Sequence, residues 1–172
     1  VVKAVSNEVA HKSDLGAVHV GVNDADAVRV AVASMTARFD AFLVEEMVGP
    51  TIAELIVGVK RDPQFGLALV IGSGGLLVEL VGDTVSLLLP VEREEIARAI
   101  TSLKAASLIS GYRGGPAGDL DKTIDAIAAI ARYAAANAGE LLELDVNPLI
   151  VTPDSAVAVD ALIRNSRSIG DE

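Results

Sequence analysis

The stretch that decides the fold reads Glu143-Leu144-Asp145-Val146-Asn147-Pro148-Leu149. Asp145 and Asn147 are separated by one residue, so on a β-strand their side chains point to the same face. Thr152-Pro153-Asp154-Ser155 is typical of a turn. The apolar residues that follow, Ala156-Val157-Ala158-Val159, predict a returning strand that ends at Asp160. The segment is therefore predicted to form a β-hairpin.

The symmetry of this hairpin predicts a metal site. A turn centred between Pro153 and Asp154 places Asn147 opposite Asp160, because both lie at the same distance from the centre. Directly opposed residues have Cβ atoms about 4.5–5.5 Å apart, so an amide oxygen and a carboxylate would meet on one face beside Asp145. Such hard oxygen ligands suit Mg²⁺, which uses few protein ligands and leaves positions for water and phosphate. Spacing alone leaves open a simpler alternative, a polar strand edge with a solvated aspartate.

The composition indicates an acidic globular domain. The chain has 172 residues, of which 51% are apolar, and this is enough for one domain with a hydrophobic core. The net charge of −10 and the aromatic content of 3% argue against nucleic acid and anionic membranes as partners. No apolar run reaches the length of a membrane span, and no signal peptide is recognisable. The absence of cysteine excludes disulfides and thiolate metal sites, and it fits a cytoplasmic location.

The order of the predicted elements indicates an α+β fold. Strands are predicted over residues 1–6, 17–22, 41–48, 53–60, 67–71, 76–81 and 85–89, with a helix after Asn23-Asp24. Amphipathic helices over 92–105 and 119–137, joined by a glycine-rich connection over 107–118, precede the final hairpin. Runs of strands and of helices, without regular βαβ alternation, are typical of antiparallel sheets with flanking helices. Residues 165–172 are predicted to be a loose tail outside a domain that spans 1–164.

Several polar side chains outside the hairpin are candidates for a phosphate or nucleotide site. Lys3 lies in an apolar strand, where a lysine is costly unless it is paired or reaches a ligand phosphate. The alternative is an ammonium group that extends to water. His11-Lys12-Ser13-Asp14 could grip or accept a phosphoryl group, or could be a solvated loop. Glu45, Glu46 and Glu54 could bind a ribose or orient a lysine, although solvated acids are the simpler interpretation.

Two glycine-rich segments are further candidates. Gly72-Ser73-Gly74-Gly75 resembles a phosphate-cradling loop, but it lacks the Lys-Ser/Thr ending and does not open a helix. We therefore expect mainly a hairpin turn there. Gly111-Tyr112-Arg113-Gly114-Gly115-Pro116 carries an arginine on a predicted loop, where it could contact a phosphate or a partner domain.

Taken together, these motifs resemble the ATP-grasp domain of the NDP-forming acyl-CoA synthetases. That family includes ADP-forming acetate–CoA ligase and, more distantly, the β subunit of succinyl-CoA synthetase. The resemblance runs from Val1 to about Ile163, through Val-Val-Lys, His-Lys-Ser-Asp-x-Gly, Val-Glu-Glu-Met-Val, Glu-Leu-Ile-Val-Gly-Val-x-Arg-Asp-Pro-Gln-Phe-Gly, Gly-Tyr-Arg-Gly and Glu-Leu-Asp-Val-Asn-Pro-Leu. It implies two α+β lobes that grip a nucleotide between antiparallel sheets. A helical segment precedes the Val1 position in the family, and we expect the sequence from Val1 onward to cover the first lobe only in part.

The resemblance also implies roles for individual residues. Lys3 matches the strand lysine that contacts phosphate, the segment Glu45 to Val48 matches the hinge that meets the adenine, and Glu54 matches an acid near the ribose. Asn147 and Asp160 match the magnesium ligands, in agreement with the hairpin argument.

Two further matches concern phosphoryl transfer. Asp145 matches the acid that faces the incoming phosphoryl carrier. His11 matches a loop histidine that is proposed to carry phosphate between sites in some ADP-forming relatives. Gly16-Ala17 stands where the family usually has a glycine pair. The hinge differs by a residue between relatives, so the resemblance leaves open whether Glu45 or Glu46 is the hinge acid.

The implied reaction is acyl-CoA + ADP + phosphate ⇌ carboxylate + CoA + ATP, through acyl phosphate and phosphohistidine, with Mg²⁺ as cofactor. The implied partner is a CoA-binding, CoA-ligase domain, on the same chain or on a partner subunit of an oligomer. Because the chain opens inside a strand without methionine, we expect it to be part of a longer polypeptide. One alternative is a non-catalytic, ligand-sensing ATP-grasp-like domain fused to an acyltransferase. Another is a different ATP-grasp carboxylate ligase, which would lack the His11 loop.

Overall fold

A computed structural model of the chain describes residues 1–5, 16–75 and 82–166. The predicted loop around His11, the predicted strand over 76–81 and residues 167–172 lie outside this description. The chain divides into two compact units, Val1–Met47 and Val48–Glu172. None of the helices in the described ranges is long and apolar enough to cross a membrane.

The first unit is a small antiparallel sheet with one helix. Its elements are β1 (Val2–Val5), β2 (Val18–His19), α1 (Ala25–Met35) and β3 (Ala41–Val44), and the strand order is β2-β1-β3. Asp24 caps α1, since its carboxylate accepts a hydrogen bond of 2.8 Å from the Ala27 N–H. Val2 and Ala4 are buried in a core that includes Ala31 of α1. Strand alternation turns residue 3 to the other face.

The second unit contains the larger sheet and most of the helices. Its elements are β4 (Ala53–Asp62), β5 (Gly66–Ser73), β6 (Thr84–Leu88), α2 (Arg93–Ser102), α3 (Ala106–Ile109), a 3₁₀ turn (Tyr112–Gly114), α4 (Leu120–Ala136), β7 (Leu141–Val151), β8 (Ala156–Ala158) and β9 (Ala161–Asn165). The six strands are ordered β6-β5-β4-β7-β8, with β9 also pairing with β7. All the pairings are antiparallel, and the α+β prediction is confirmed.

One face of the larger sheet forms the hydrophobic core of the second unit. Leu55, Val57 and Val59 of β4 are buried there together with Ile96 of α2 and Ile127 of α4. The residues that alternate with them along β4 point to the opposite face, which we call the open face. On β4 the open face carries Glu54, Ile56, Gly58 and Lys60, all of which are half-buried or exposed.

Several predicted boundaries were wrong. The strand predicted over 17–22 covers only Val18–His19, and the strand predicted over 41–48 ends at Val44. The helix predicted over 92–105 ends at Ser102, and α3 occupies part of the predicted connection. Side chains at the end of β5 and just before β6 bind the backbone N–H groups that follow the helix. The Lys104 N–H donates to the Asp83 carboxylate at 2.7 Å, and the Ala105 N–H donates to the Ser73 hydroxyl at 3.2 Å. The tail was predicted to begin at Asn165, but that residue closes β9 opposite Leu141.

Candidate functional site

The final hairpin has the register that its symmetry predicts. β7 pairs with β8 through pairs such as Leu149 with Ala158, and the same register continues into the pairing of β7 with β9. Asn147 and Asp160 therefore stand opposite each other, and the Asn147 N–H donates to the Asp160 carbonyl oxygen at 3.3 Å. The backbone thus brings together the two residues predicted to bind the metal.

A bulge in β7 explains how Asn147 points away from the core. Leu55 of β4 pairs with Leu149, whereas Val57 pairs with Val146, so β7 has one residue more than β4 between these pairs. Val146 and Leu149 are both buried, although strict alternation would place them on opposite faces. The extra residue lets Asn147 remain exposed between two core positions.

Acidic side chains cluster beside Asn147 on the open face. Asp145 lies two residues before Asn147 and is opposite Gly58, whose missing side chain leaves space next to the carboxylate. Burial raises the pKa of Asp145, and the negative charges of Glu143 and Asp160 raise it further. Arg164 is opposite Glu143 and forms an ion pair with it at 3.0 Å. Asp145 and Asp160 are thus close enough to repel each other.

The oxygen donors of this hairpin fit a magnesium ion. Mg²⁺ is usually bound through one or two carboxylates plus the phosphates of a substrate, so it needs no cage built entirely of protein ligands. Asp160 and Asn147 are exposed and offer a carboxylate and an amide oxygen, with Asp145 adjacent. Within residues 1–5, 16–75 and 82–166, no group of three or more His, Cys, Asp or Glu side chains is arranged to hold a metal ion. The donor set therefore suits an ion that is held jointly with a phosphate ligand.

In the first unit, Lys3 forms an ion pair with Glu45. The ammonium group lies 2.7 Å from the Glu45 carboxylate, and the side chains are 14% and 37% exposed. Lys3 pairs with Leu43 on β3, and the Glu45 N–H donates to the Val1 carbonyl at 2.9 Å, so the same antiparallel register continues. Glu45 thus lies diagonally opposite Lys3, whereas Glu46 is exposed. Of the two acids left open by the sequence, Glu45 is the one beside the lysine.

Glu54 is on the open face near the start of β4. It is half-buried and pairs with Ile150 of β7. On its other side Gly74 follows β5, and the Gly74 N–H donates to the Glu54 carbonyl at 2.6 Å. This contact was not predicted, because Gly74 was expected to belong to a hairpin turn. Gly72 instead lies within β5. Val48, predicted as part of the hinge, is half-buried.

The two remaining candidate residues are His11 and Arg113. His11 lies outside the described residues. Arg113 lies in the 3₁₀ turn with a left-handed backbone (φ 52°), and its guanidinium stacks over the Tyr112 ring at 5.2 Å from the centroid. This arginine is exposed on a shaped turn rather than on an irregular loop.

Comparisons with known proteins agree on one family. A family model described as an ATP-grasp domain matches residues 1–164. Acetate–CoA ligase [ADP-forming] I of Archaeoglobus fulgidus is 36% identical over 168 residues, which cover 93% of this chain and 24% of that protein. Its β-subunit counterpart in Pyrococcus furiosus is 32% identical over 170 residues, covering 94% of this chain and 72% of the subunit.

A solved structure is similar over the same range. It is the dinucleotide-forming acetyl-coenzyme A synthetase 1 of Ca. Korarchaeum cryptofilum in complex with coenzyme A and Mg-AMPPCP. The TM-score is 0.84 at 36% identity, and the match covers 95% of this chain and 75% of that one. In that structure a phosphohistidine segment points towards the nucleotide-binding site.

Proposed function

Because this chain belongs to the ATP-grasp family, we propose that it is the nucleotide-binding, phosphoryl-transferring part of an ADP-forming acyl-CoA synthetase. The complete reaction interconverts acyl-CoA, ADP and phosphate with carboxylate, CoA and ATP. The chain spans 24% of the length of the Archaeoglobus relative, so the acyl and CoA chemistry is assigned to other parts of the protein. We expect this CoA-ligase part on the same chain or on a partner subunit of an oligomer. The cysteine-free composition supports a cytoplasmic location.

The observation that carries the proposal is the pairing of Asn147 with Asp160 beside Asp145. This donor set supports magnesium binding together with nucleotide phosphates. A magnesium ion held by Asn147 and Asp160 would neutralise phosphate charge during transfer. The bulge in β7 fixes the backbone under Asn147, so the position of this residue is set before nucleotide binds.

Lys3 and Glu45 support a second contact to the nucleotide. A lysine whose side chain is 14% exposed and ion-paired has a restricted position, and its ammonium can also donate to a phosphate oxygen. Glu45 orients this ammonium group, and the following residues, through Val48, supply the adenine contact. Glu54 accepts a hydrogen bond from a ribose hydroxyl.

Asp145 orients the side chain that accepts the phosphoryl group. In the transfer, the bond between the γ-phosphorus and the ADP oxygen breaks, and a bond from phosphorus to an imidazole nitrogen forms. The other ring N–H donates to the Asp145 carboxylate, which orients the ring and stabilises its positive charge. The phosphohistidine segment of the Korarchaeum relative supports an acceptor of this kind. We retain His11 as a second phosphate carrier, on the sequence pattern alone.

Exchange of label between ADP and ATP tests the proposal without knowledge of the acyl group. The complete synthetase, given Mg²⁺ and nucleotides but neither carboxylate nor CoA, should exchange label because phosphohistidine formation is reversible. Asp145→Asn should bind nucleotide but lose exchange. The control Glu140→Gln, which also neutralises an acidic residue and lies just before β7, should retain exchange. A protein that binds ATP with no exchange would instead support the sensor alternative and refute the catalytic one.

A further inference from the structure

The contact between Gly74 and Glu54 is unusually close. A Cβ atom built on Gly74 would lie 2.7 Å from both the carbonyl carbon and the carbonyl oxygen of Glu54, and 2.8 Å from its Cβ. Real Cβ atoms essentially never approach other heavy atoms within 3.0 Å. The atoms met here are backbone and Cβ, not the end of a flexible side chain. Only glycine can therefore occupy position 74 without a shift of one of the two segments.

The Glu54 backbone has little freedom to make that shift. β4 is central in the sheet and is hydrogen-bonded to β5 on one side and to β7 on the other. Leu55, the next residue, is fully buried. A side chain at position 74 would consequently displace the chain that follows β5, or force a local distortion at Glu54.

Gly75 brings the same segment beside the Glu54 carboxylate. Its backbone has φ +95°, which favours glycine, and its Cβ position would lie 3.9 Å from Glu54 Oε2. Across residues 1–5, 16–75 and 82–166, no hydrogen bond or ion pair to this carboxylate is found. The two glycines thus border a carboxylate whose oxygens can accept hydrogen bonds from a ligand.

We propose that Gly74 is a positioning residue for nucleotide selectivity. By allowing close approach at residue 54, it holds the Glu54 carboxylate where it accepts a hydrogen bond from a ribose hydroxyl. The inference rests on the proposed function, because it deepens the role given there to Glu54. Its ligand class is a ribonucleotide, recognised against its deoxy analogues.

The test measures binding of ADP, 2′-deoxy-ADP and 3′-deoxy-ADP to the complete synthetase by calorimetry. We expect the unsubstituted protein to prefer ADP over at least one analogue by about ten- to hundredfold, the effect of one hydrogen bond to a charged group. Gly74→Ala should reduce this preference to about threefold or less, because the Glu54 carboxylate is then displaced from the ribose hydroxyl and most of the hydrogen bond is lost. The matched control is Gly72→Ala, whose Cβ would approach the Thr84 methyl at 2.9 Å but does not meet Glu54. It should keep the preference.

A Glu54→Gln variant tests the ribose contact of Glu54 separately from the positioning role of Gly74. If it retains the full preference for ADP, the ribose role of Glu54 fails, and the inference fails with it. If it loses the preference while Gly74→Ala keeps it, Gly74 has no positioning role and the proposed function is unaffected.

A measurement on the unsubstituted protein covers the case in which Gly74→Ala does not fold. The Gly74 amide donates to the Glu54 carbonyl, so its hydrogen exchange reports on this contact. ADP should slow that exchange more than the deoxy analogue that binds more weakly, with both at saturation. Equal protection by the two nucleotides would overturn the inference.

Discussion

Replacing Lys3 with methionine is expected to weaken Mg·ATP binding by about ten- to hundredfold. A hydrogen bond to a charged group contributes about 1.5–3 kcal/mol, and about 1.4 kcal/mol corresponds to a factor of ten in affinity. The Lys3 ammonium is held 2.7 Å from Glu45 and its side chain is 14% exposed, so little ordering is needed when a phosphate binds. The loss of affinity should be close to tenfold if the Lys3 ammonium still interacts mainly with Glu45 when Mg·ATP is bound.

The same substitution should leave the fold of the first unit intact. Val2 and Ala4 form the core on the opposite face of β1, and methionine is an unbranched side chain that adapts to its surroundings. The Glu45 side chain as a whole is 37% exposed, although its Oε2 atom, which faces Lys3, is buried, so water reaches this carboxylate mainly elsewhere on the side chain. An ion pair with one accessible partner contributes about 0–1 kcal/mol, so the melting temperature should fall by only a few degrees.

Lys122→Met is the matched control for this experiment. Lys122 is exposed on α4, and each variant takes the net charge from −10 to −11, so long-range electrostatic effects are equal. Calorimetric titration of the complete synthetase with ATP in excess Mg²⁺ gives the affinities, and thermal unfolding gives the stabilities. Equal ATP affinity in the two variants would refute the assignment of Lys3 to the phosphate site.

Three further predictions concern the hairpin and the His11 loop. Asp160→Asn should weaken Mg²⁺-dependent ADP binding by about tenfold or more, the loss of one charged contact, whereas Asp154→Asn in the turn should not; equal Mg²⁺ dependence of ADP affinity would contradict the metal assignment. Asp145→Asn should raise the melting temperature at pH 7 but not near pH 3. The pKa of Asp145 is raised in the folded state, so the protein loses stability as the pH rises from the unfolded-state pKa through the folded-state pKa. Asparagine does not ionise and removes this loss. An equal change in melting temperature at both pH values would argue against a raised pKa of Asp145. His11→Ala should remove one of two acid-labile phosphates formed from labelled ATP in the complete enzyme, and normal turnover of the variant would make His11 a structural loop residue.

The hairpin register was predictable because it depends on local symmetry. The turn signal at Pro153 and Asp154 fixed the centre, and antiparallel pairing then determined that Asn147 meets Asp160. The bulge in β7 was not predicted, because it reflects the pairing of β7 with a strand far away in the sequence. Family membership, which rested on the order of short motifs, was confirmed.

The contact between Gly74 and Glu54 could have been found by the same reasoning. The β4–β5 hairpin pairs Leu55 with Ser73, so the preceding and following residues, Glu54 and Gly74, are opposite each other. A hairpin centred on Gln64 gives this result from the sequence alone. What sequence could not give is the closeness of the approach, which depends on the backbone path after Ser73.

One family motif has a structural explanation in this chain. In Arg-Asp-Pro-Gln-Phe-Gly, the Asp62 carboxylate accepts hydrogen bonds from the Gln64 and Phe65 N–H groups at 2.8 and 2.9 Å, which shapes the turn. Arg61 donates to the carbonyl oxygens of Leu141 and Ala138, and so joins β4 to the end of α4 and the start of β7. The motif therefore shapes the β4–β5 turn and links β4 to β7. It affects the site indirectly, by holding in place the strands that carry Glu54 and Asp145.

The charge distribution predicts how nucleotide and metal binding must be linked. The open face concentrates carboxylates at Glu143, Asp145 and Asp160, in a protein whose net charge is already −10. A triphosphate alone would be repelled by this face. Burial raises the pKa of Asp145, and repulsion from Glu143 and Asp160 raises it further. Arg164 and Lys60 both lie opposite Glu143, and Arg164 forms an ion pair with it. Nucleotide and divalent cation should therefore bind with strong positive coupling at this site, and the coupling should weaken when Asp160 loses its charge, because less repulsion then remains for the cation to relieve.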